Sequence, residues 1–130
     1  MKRRPQLRSA GFIFKPGSID VKIDEIISAA PVMPVLVIHE METAVPLARA
    51  LFAGGLKVIE VTLRTPIAME AVARIAEALP EAIVGVGTLT RPEQFTLAAE
   101  AGAQFAVSPG LTRVLLNASV ESEMPYLPGV

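Results

Sequence analysis

The chain has 130 residues, of which 52% are hydrophobic and 19% are charged, and it contains no cysteine. This composition is typical of one folded unit and excludes disorder as the dominant state, while a net charge of -1 argues against a nucleic-acid-binding protein. Without cysteine there is no disulfide or thiol nucleophile, so we expect a cytoplasmic protein. The longest uncharged apolar stretch, 29–38, is interrupted by Pro31 and Pro34 and is shorter than the roughly 20 residues that a membrane span needs.

Residues 1–19 differ in composition from everything that follows. They contain no acid, and their basic side chains are Lys2, Arg3, Arg4, Arg8 and Lys15. Because this segment lacks the continuous apolar core of a secretory signal, we interpret it as a basic, disordered arm outside the fold. Residues 20–130 are then predicted to form one domain.

From residue 20 onward the sequence predicts helices and strands in alternation. A short helix within 20–30 ends at Pro31, a strand follows at 35–38, and a helix at 41–52 closes at Gly54 and Gly55. The same order then repeats, with strands predicted at 58–63, 83–86, 105–108 and 126–130 and helices at 66–79, 92–101 and 112–119. Repeated strand–helix units predict a parallel α/β sheet.

The second strand separates an open sheet from a closed barrel. One of its faces carries Ile59, Val61 and Leu63, and the other carries Val58, Glu60, Thr62 and Arg64. Central strands of an open, doubly wound sheet are apolar on both faces, so the polar face favours a (β/α)8 TIM-type barrel. The chain supplies about the first five βα units of that barrel. We expect its exposed edges and excess apolar surface to be covered by more protein or by self-association.

Three residues are candidates for chemistry: Glu60 in the middle of the second strand, and Arg64 and Thr88 at the carboxyl ends of the second and third strands. An inward Glu60 in a partly dry interior suits acid/base catalysis, or it is a buried carboxylate paired with Arg64. Arg64 suits a bidentate grip on a carboxylate or phosphate, or forms a salt bridge at the rim. Thr88 ends the string GVGT at 85–88, whose glycines either admit a ligand to the backbone or relieve crowding inside the barrel.

Two other polar residues are weaker candidates. Ser108 has no nearby histidine or acid in the sequence to activate it as a nucleophile. His39 is the only histidine, and we interpret it as an ordinary residue at the rim. One imidazole without a thiol makes a transition-metal site unexpected.

The strand segments together resemble a known family. PVLVI at 34–38, VIEVTLRT at 58–65, IVGVGTL at 83–89, AQFAVSPGLT at 103–112 and YLPGV at 126–130 are similar, in order and spacing, to the bacterial 2-keto-3-deoxy-6-phosphogluconate (KDPG) and 4-hydroxy-2-oxoglutarate (KHG) aldolases. The resemblance runs from about Ile23 to the last residue.

The resemblance implies a class I aldolase, a lyase that needs no metal or other cofactor. In such an enzyme a lysine forms a Schiff base with the 2-keto carbon, and cleavage of the C3–C4 bond gives pyruvate and an aldehyde. By position, Glu60 matches the family's proton-shuttling carboxylate, Arg64 the arginine that holds the pyruvate carboxylate, and Thr88 the threonine beside it. The resemblance also implies a homotrimer, a role in the Entner-Doudoroff pathway, and no nucleic-acid or membrane partner.

The chain departs from the family's pattern in one important respect. The family's imine-forming lysine belongs to a sixth strand, and we match none of Lys2, Lys15, Lys22 and Lys57 to it. The chain alone is therefore expected to be inactive as an aldolase. The alternatives are an inactive barrel fragment that oligomerises or binds small molecules, and a relative that binds another phosphorylated small molecule. The aldehyde partner stays open.

Overall fold

The computed structural model describes residues 21–130, and the predicted basic arm at 1–19 lies outside them. The strands are β1 (Val35–Leu36), β2 (Val58–Thr62), β3 (Ile83–Gly87), β4 (Phe105–Ser108) and β5 (Tyr126–Pro128). The helices are α1 (Ile23–Ser28), α2 (Met41–Ala53), α3 (Ala68–Ala78), α4 (Glu93–Glu100) and α5 (Arg113–Ser122). No helix of this part of the chain is long and apolar enough to cross a membrane.

The five strands form one parallel sheet in the order β1-β2-β3-β4-β5. A doubly wound sheet reverses its strand order at a switch point, and this sheet does not. Since crossovers between parallel strands are right-handed, an unreversed order places every connecting helix on the same face. The predicted α/β barrel architecture, represented here by five βα units, is confirmed.

The apolar core lies between the sheet and helices α2 to α5. The outward residues of β2 and β3, Ile59, Val61, Val84 and Val86, are buried there. They contact a helix layer that contributes Ala44, Ala48, Ala71, Val72, Ile75, Phe95, Ala98 and Leu115. This face of β2 is the apolar one that the alternation of side chains predicts, so the polar face is turned to the barrel interior.

Helix α1 covers the opposite, inner face of the sheet at its amino end. Its one buried residue, Ile26, clusters with Val58 and Phe105, the first residues of β2 and β4. The amino end of the interior is thereby filled with apolar side chains. The carboxyl end is left for polar groups.

Several elements end at other residues than the sequence predicts. β1 ends at Leu36 rather than at residue 38, because threonine hydroxyls from the β2 side reach its carbonyls: Thr62 donates to Leu36 O at 2.8 Å and Thr65 to Ile38 O at 2.7 Å. α5 continues to Ser122 rather than ending at Ser119, and the hydroxyls of both serines donate to carbonyls three residues back in the helix. The last strand ends at Pro128, not at residue 130.

Candidate active site at the carboxyl edge of the sheet

Glu60 is a charged residue on the inner face of the sheet. It lies in the middle of β2, and its side chain is 7% exposed. Its neighbours at the same level are Val35 on β1 and Gly85 on β3. The inward orientation predicted for Glu60 is therefore what the structure shows.

The carboxyl group of Glu60 does not stay at the level of its own backbone. A Cβ built on Gly87 would lie 2.9 Å from Glu60 Cγ and 2.6 Å from Glu60 Cδ, and it would overlap the Oε1 atom. Gly87 is two residues further along β3 than Gly85. It therefore lies nearer the carboxyl edge of the sheet, by which we mean the end at which the carboxyl ends of the parallel strands lie. The Glu60 side chain thus leans along the strand and ends over Gly87.

Burial and a nearby charge act on Glu60 in opposite directions. Removal of the carboxylate from water raises the pKa of Glu60 above its ordinary 4.5, and the positive charge of Arg64 offsets part of that rise. A raised carboxyl pKa is the property that acid/base catalysis near neutral pH requires. No ion pair within residues 21–130 includes either side chain, so the geometry does not favour the alternative of a structural Glu60–Arg64 pair.

Arg64 lies beyond the end of β2, in the turn that leads towards α3, and its side chain is exposed. Among residues 21–130, no carboxylate lies within ion-pair distance of the Arg64 guanidinium. Such a group can take an incoming carboxylate with two parallel hydrogen bonds. The alternative interpretation of Arg64, a salt bridge at the rim, is not observed among residues 21–130.

Thr88 follows β3 directly and has a left-handed backbone with φ of 58°. This conformation is uncommon for a β-branched residue and stores strain. Hydrogen bonds hold both sides of the residue: Leu63 N donates to Gly87 O at 2.8 Å, and Leu89 N donates to Val107 O at 3.1 Å. Thr88 is therefore fixed directly after Gly87, the residue over which the Glu60 carboxyl group lies.

The glycines of the GVGT string relieve crowding inside the barrel, which is one of the two interpretations of the motif. Gly87 makes room for Glu60, and Gly85 makes room for the ring of Phe105, whose Cδ1 would be 2.5 Å from a Cβ at Gly85. Phe105 was not a candidate from the sequence. The available signal was a small residue at every second position of β3 beside a strand that begins with an aromatic residue.

Ser108 holds a loop at the same edge. Its hydroxyl donates to Gly110 O at 2.8 Å, so the Tyr126 hydroxyl, 2.5 Å away, is the donor to Ser108 Oγ. The ring of Tyr126 packs edge-on against Phe95 with centroids 5.3 Å apart. The serine at this position fixes the turn that follows β4, and Thr112 then caps α5 by accepting from Leu115 N at 3.2 Å.

The remaining titratable candidates stand apart from Glu60. His39 is exposed beyond β1. Of the two lysines of the described region, Lys57 directly precedes β2 and so lies at the amino end of the sheet, whereas Lys22 precedes α1 and lines a cavity beside β5 with Tyr126 and Pro128. Residues 21–130 bring no three His, Asp or Glu side chains together in a group able to hold a metal ion.

Comparisons with known proteins match the sequence and fold of the chain to one family. The family model for KDPG and KHG aldolases matches residues 23–130. Over 107 residues the chain is 53% identical to the 2-dehydro-3-deoxy-phosphogluconate aldolase of Dickeya dadantii and 52% identical to the KHG/KDPG aldolase of Escherichia coli. Each alignment covers 82% of this chain and 50% of the relative, so the chain spans about half the length of these relatives.

Solved structures lead to the same family. The KDPG aldolase of Legionella pneumophila, which holds pyruvate as a covalent carbinolamine, is 49% identical with a TM-score of 0.79, over 89% of this chain and 53% of that one. The aldolase of Zymomonas mobilis is 50% identical with a TM-score of 0.80, over 85% of this chain and 53% of that one. With a family model that matches nearly all of the described residues, and with relatives at half identity that share its fold, the chain belongs to the KDPG and KHG aldolase family.

Proposed function

We propose that this chain supplies the proton-transfer and pyruvate-holding part of a class I aldolase barrel that cleaves KDPG or KHG to pyruvate and an aldehyde. The observation that carries the proposal is the position of Glu60. Its carboxyl group is buried on the inner face, leans to the carboxyl edge and has a raised pKa. Active sites of (β/α)8 barrels lie at that edge.

The proposed reaction needs a group that takes up one proton and gives one back. A lysine amine condenses with the 2-keto carbon of the substrate and releases water, leaving a protonated imine as electron sink. As the C3–C4 bond breaks, its electron pair moves into the imine, and the C4 hydroxyl loses its proton to the Glu60 carboxylate. The aldehyde leaves, Glu60 returns the proton to C3, and water then hydrolyses the imine to free pyruvate and the amine.

Arg64 and Thr88 are proposed to hold the pyruvate moiety. An exposed guanidinium at the edge suits a carboxylate, because the fork of donors matches its two oxygens. Thr88 adds a hydroxyl and a backbone amide in a strained loop that directly follows Gly87, over which the Glu60 carboxyl group lies. Together they orient the carbonyl carbon towards the amine.

The proposal assigns the imine-forming lysine to a sixth strand supplied by another polypeptide segment. Lys57 lies at the amino end of the sheet, opposite the Glu60 carboxyl group, and Lys22 precedes α1 and lines a cavity beside β5. By this proposal the isolated chain has no aldolase activity. The same lysine positions favour the second candidate function, an inactive barrel module that associates with other chains or binds keto acids without cleaving them.

Assembly forms part of the proposal. Large apolar side chains are exposed on and beside α5, with exposed fractions of 48% for Leu111, 60% for Val114 and 71% for Val120. Exposed apolar surface of this kind is usually covered by a protein partner. We propose that the chain associates, as a homotrimer in the complete enzyme, and we expect light scattering on the isolated chain to show species larger than a monomer.

Complementation with a relative tests the proposed function. The chain is refolded together with the segment of the Escherichia coli aldolase that it does not cover, and we call the product the complemented barrel. Pyruvate is then trapped on this product with borohydride. We expect a pyruvate adduct on the Escherichia coli segment, none on the 130-residue chain, and recovered cleavage of KDPG.

A matched pair of variants makes the test specific. Glu60→Gln removes the buried carboxylate, whereas Glu77→Gln changes an exposed residue of α3. We expect only the first to abolish cleavage in the complemented barrel. An adduct on the chain itself would overturn the lysine assignment, and an unchanged rate in Glu60→Gln would overturn the role of Glu60.

A further inference from the structure

Three residues on neighbouring strands meet at one level of the inner face. Glu60 of β2 and Phe105 of β4 are both register partners of Gly85 on β3. In a parallel sheet, side chains at the same level of adjacent strands point to the same face. Glu60 and Phe105 therefore flank Gly85 from its two sides.

The aromatic ring of Phe105 fills the space above Gly85. A Cβ built on Gly85 would be 2.5 Å from Cδ1 of the ring and would overlap Cε1 and Cζ. Phe105 is fully buried and continues into the apolar cluster with Ile26 and Val58 at the amino end of the interior. Ile26 and Val58 thus pack with the Phe105 ring at the amino end of the interior.

The Glu60 carboxyl group is found one side-chain level higher. It lies over Gly87, two residues along β3 from Gly85, which is about 6.6 Å nearer the carboxyl edge at 3.3 Å per residue. This direction is also the direction of Arg64, four residues further along the chain from Glu60. The ring and the carboxyl group thus occupy successive levels above Gly85 and Gly87.

We infer that Phe105 is a positioning residue for Glu60: its ring occupies the level of Gly85 and directs the Glu60 carboxyl group to the carboxyl edge of the sheet. The functional meaning of the inference rests on the proposed role of Glu60 as proton shuttle. The geometric part of the inference, that the Phe105 ring sets the direction of the Glu60 side chain, does not depend on that role. Gly85 and Gly87 take part because each leaves open the space that one of the two side chains fills.

The surroundings of Glu60 supply one charge that bears on the test. β1 presents Val35 at its level, β3 presents Gly85 and Gly87, β4 presents Phe105, and α1 buries only Ile26. Among residues 21–130 the charged group that acts on the carboxyl is Arg64. A change in Glu60 titration on substitution of Phe105 therefore reports a change of position or hydration.

Nuclear magnetic resonance on the full 130-residue chain tests the inference directly. With labelled glutamate and glycine, the wild-type chain is expected to show a nuclear Overhauser effect between the Glu60 γ protons and the Gly87 α protons. In Phe105→Leu we expect this signal to weaken, a signal to the Gly85 α protons to appear, and the pKa of Glu60 to fall as water enters above Gly85.

Phe95→Leu is the matched control, because Phe95 is as buried as Phe105 but lies in the outer core between sheet and helices. We expect it to leave both the Glu60–Gly87 signal and the Glu60 titration unchanged. If Phe105→Leu does not fold, Phe105→Met replaces the rigid ring with a flexible chain that can fill an irregular space. Retention of the Glu60–Gly87 signal and of the Glu60 pKa in the folded Phe105 variant would overturn the inference.

The complemented barrel separates this inference from the proposed function. There we expect Phe105→Leu to lower kcat with little change in KM and to shift the pH profile of kcat to lower pH, whereas Phe95→Leu does neither. If Phe105→Leu moves the Glu60 carboxyl group but Glu60→Gln leaves the activity unchanged, the proposed function is wrong and the positioning inference stands. If Phe105→Leu leaves the Glu60 carboxyl group in place while Glu60→Gln abolishes the activity, only the positioning inference is wrong.

Discussion

The carboxyl group of Glu60 occupies the place where a side chain on Gly87 would begin, with Glu60 Cδ 2.6 Å from the position of that Cβ. Gly87 therefore accommodates the buried carboxylate, and a methyl group there has to displace it. We expect Gly87→Ala to lower the free energy of unfolding by about 1–3 kcal/mol, the usual cost of overpacking. Urea unfolding measures the change.

Gly110→Ala is the control for this substitution. A Cβ at Gly110 meets no atom within 4 Å, so the free energy of unfolding should change by no more than about 0.5 kcal/mol. Equal losses in the two variants would show that the Glu60–Gly87 contact has no part in the effect.

The stability of the chain should depend on the protonation of Glu60. Its pKa is raised by burial in the folded chain, so the folded state binds the proton more tightly than the unfolded state does. The corresponding stability is fully present below the ordinary pKa of 4.5 and is lost as pH rises through the raised value. Glu60→Gln removes this dependence.

Unfolding in urea at a series of pH values measures the effect. We expect the free energy of unfolding of the wild type, minus that of Glu60→Gln, to fall as pH rises from below 4.5 to neutrality. The exposed Glu77→Gln variant should follow the wild type. A difference that grows with pH would contradict the assigned environment of Glu60.

Arg64 should affect Glu60 through its charge and the substrate through its shape. Arg64→Gln removes the positive charge that lowers the pKa of Glu60, so that pKa should rise further, whereas Arg64→Lys should leave it nearly unchanged. In the complemented barrel both variants should raise KM about tenfold or more, since each loses the bidentate grip and a hydrogen bond to a charged group contributes about 1.5–3 kcal/mol.

The two Arg64 readouts come from separate measurements. Titration of labelled Glu60 reports the charge effect, and steady-state kinetics report the grip. If the lysine variant matched the wild type in KM, the bidentate role of Arg64 would be wrong.

Because Thr88 has a left-handed backbone, we expect its replacement by glycine to stabilise the fold and to weaken substrate binding. Thr88→Gly relieves the strain of a β-branched residue at φ of 58° and should raise the free energy of unfolding by about 1 kcal/mol. It also removes the hydroxyl proposed to contact pyruvate, so KM in the complemented barrel should increase.

Thr90→Gly is the matched control in the same loop. Thr90 is exposed and is not among the residues with positive φ, so glycine there should lower the free energy of unfolding by about 0.5 kcal/mol. Thermal unfolding of the two variants distinguishes them, and a loss of stability in Thr88→Gly would show that the loop is not strained.

The sequence predicts most of the architecture because hydrophobic periodicity is a local property. The alternation of Glu60 and Thr62 with Ile59 and Val61 is enough to give the inner and outer faces of β2. The lean of Glu60 is not local, since it depends on Gly87 and Phe105 from two other strands. No pattern within one strand contains that information.

Two further features escape sequence reasoning for related reasons. The early end of β1 depends on hydroxyls of Thr62 and Thr65, which are 26 and 27 residues away along the chain from their partners. The left-handed Thr88 runs against the preference of a β-branched residue, and tertiary hydrogen bonds on both sides impose it. Strained residues of this kind concentrate at functional sites.

The exchange of pyruvate methyl protons with deuterated water is the most direct test of the proton shuttle. In the complemented barrel, the wild-type chain should catalyse this exchange. Glu60→Gln should still permit borohydride trapping of pyruvate but should slow the exchange by about 10²–10⁴-fold, the usual contribution of general acid/base catalysis. Exchange at the wild-type rate in Glu60→Gln, with trapping intact, would contradict the assignment of Glu60 as the group that moves the proton.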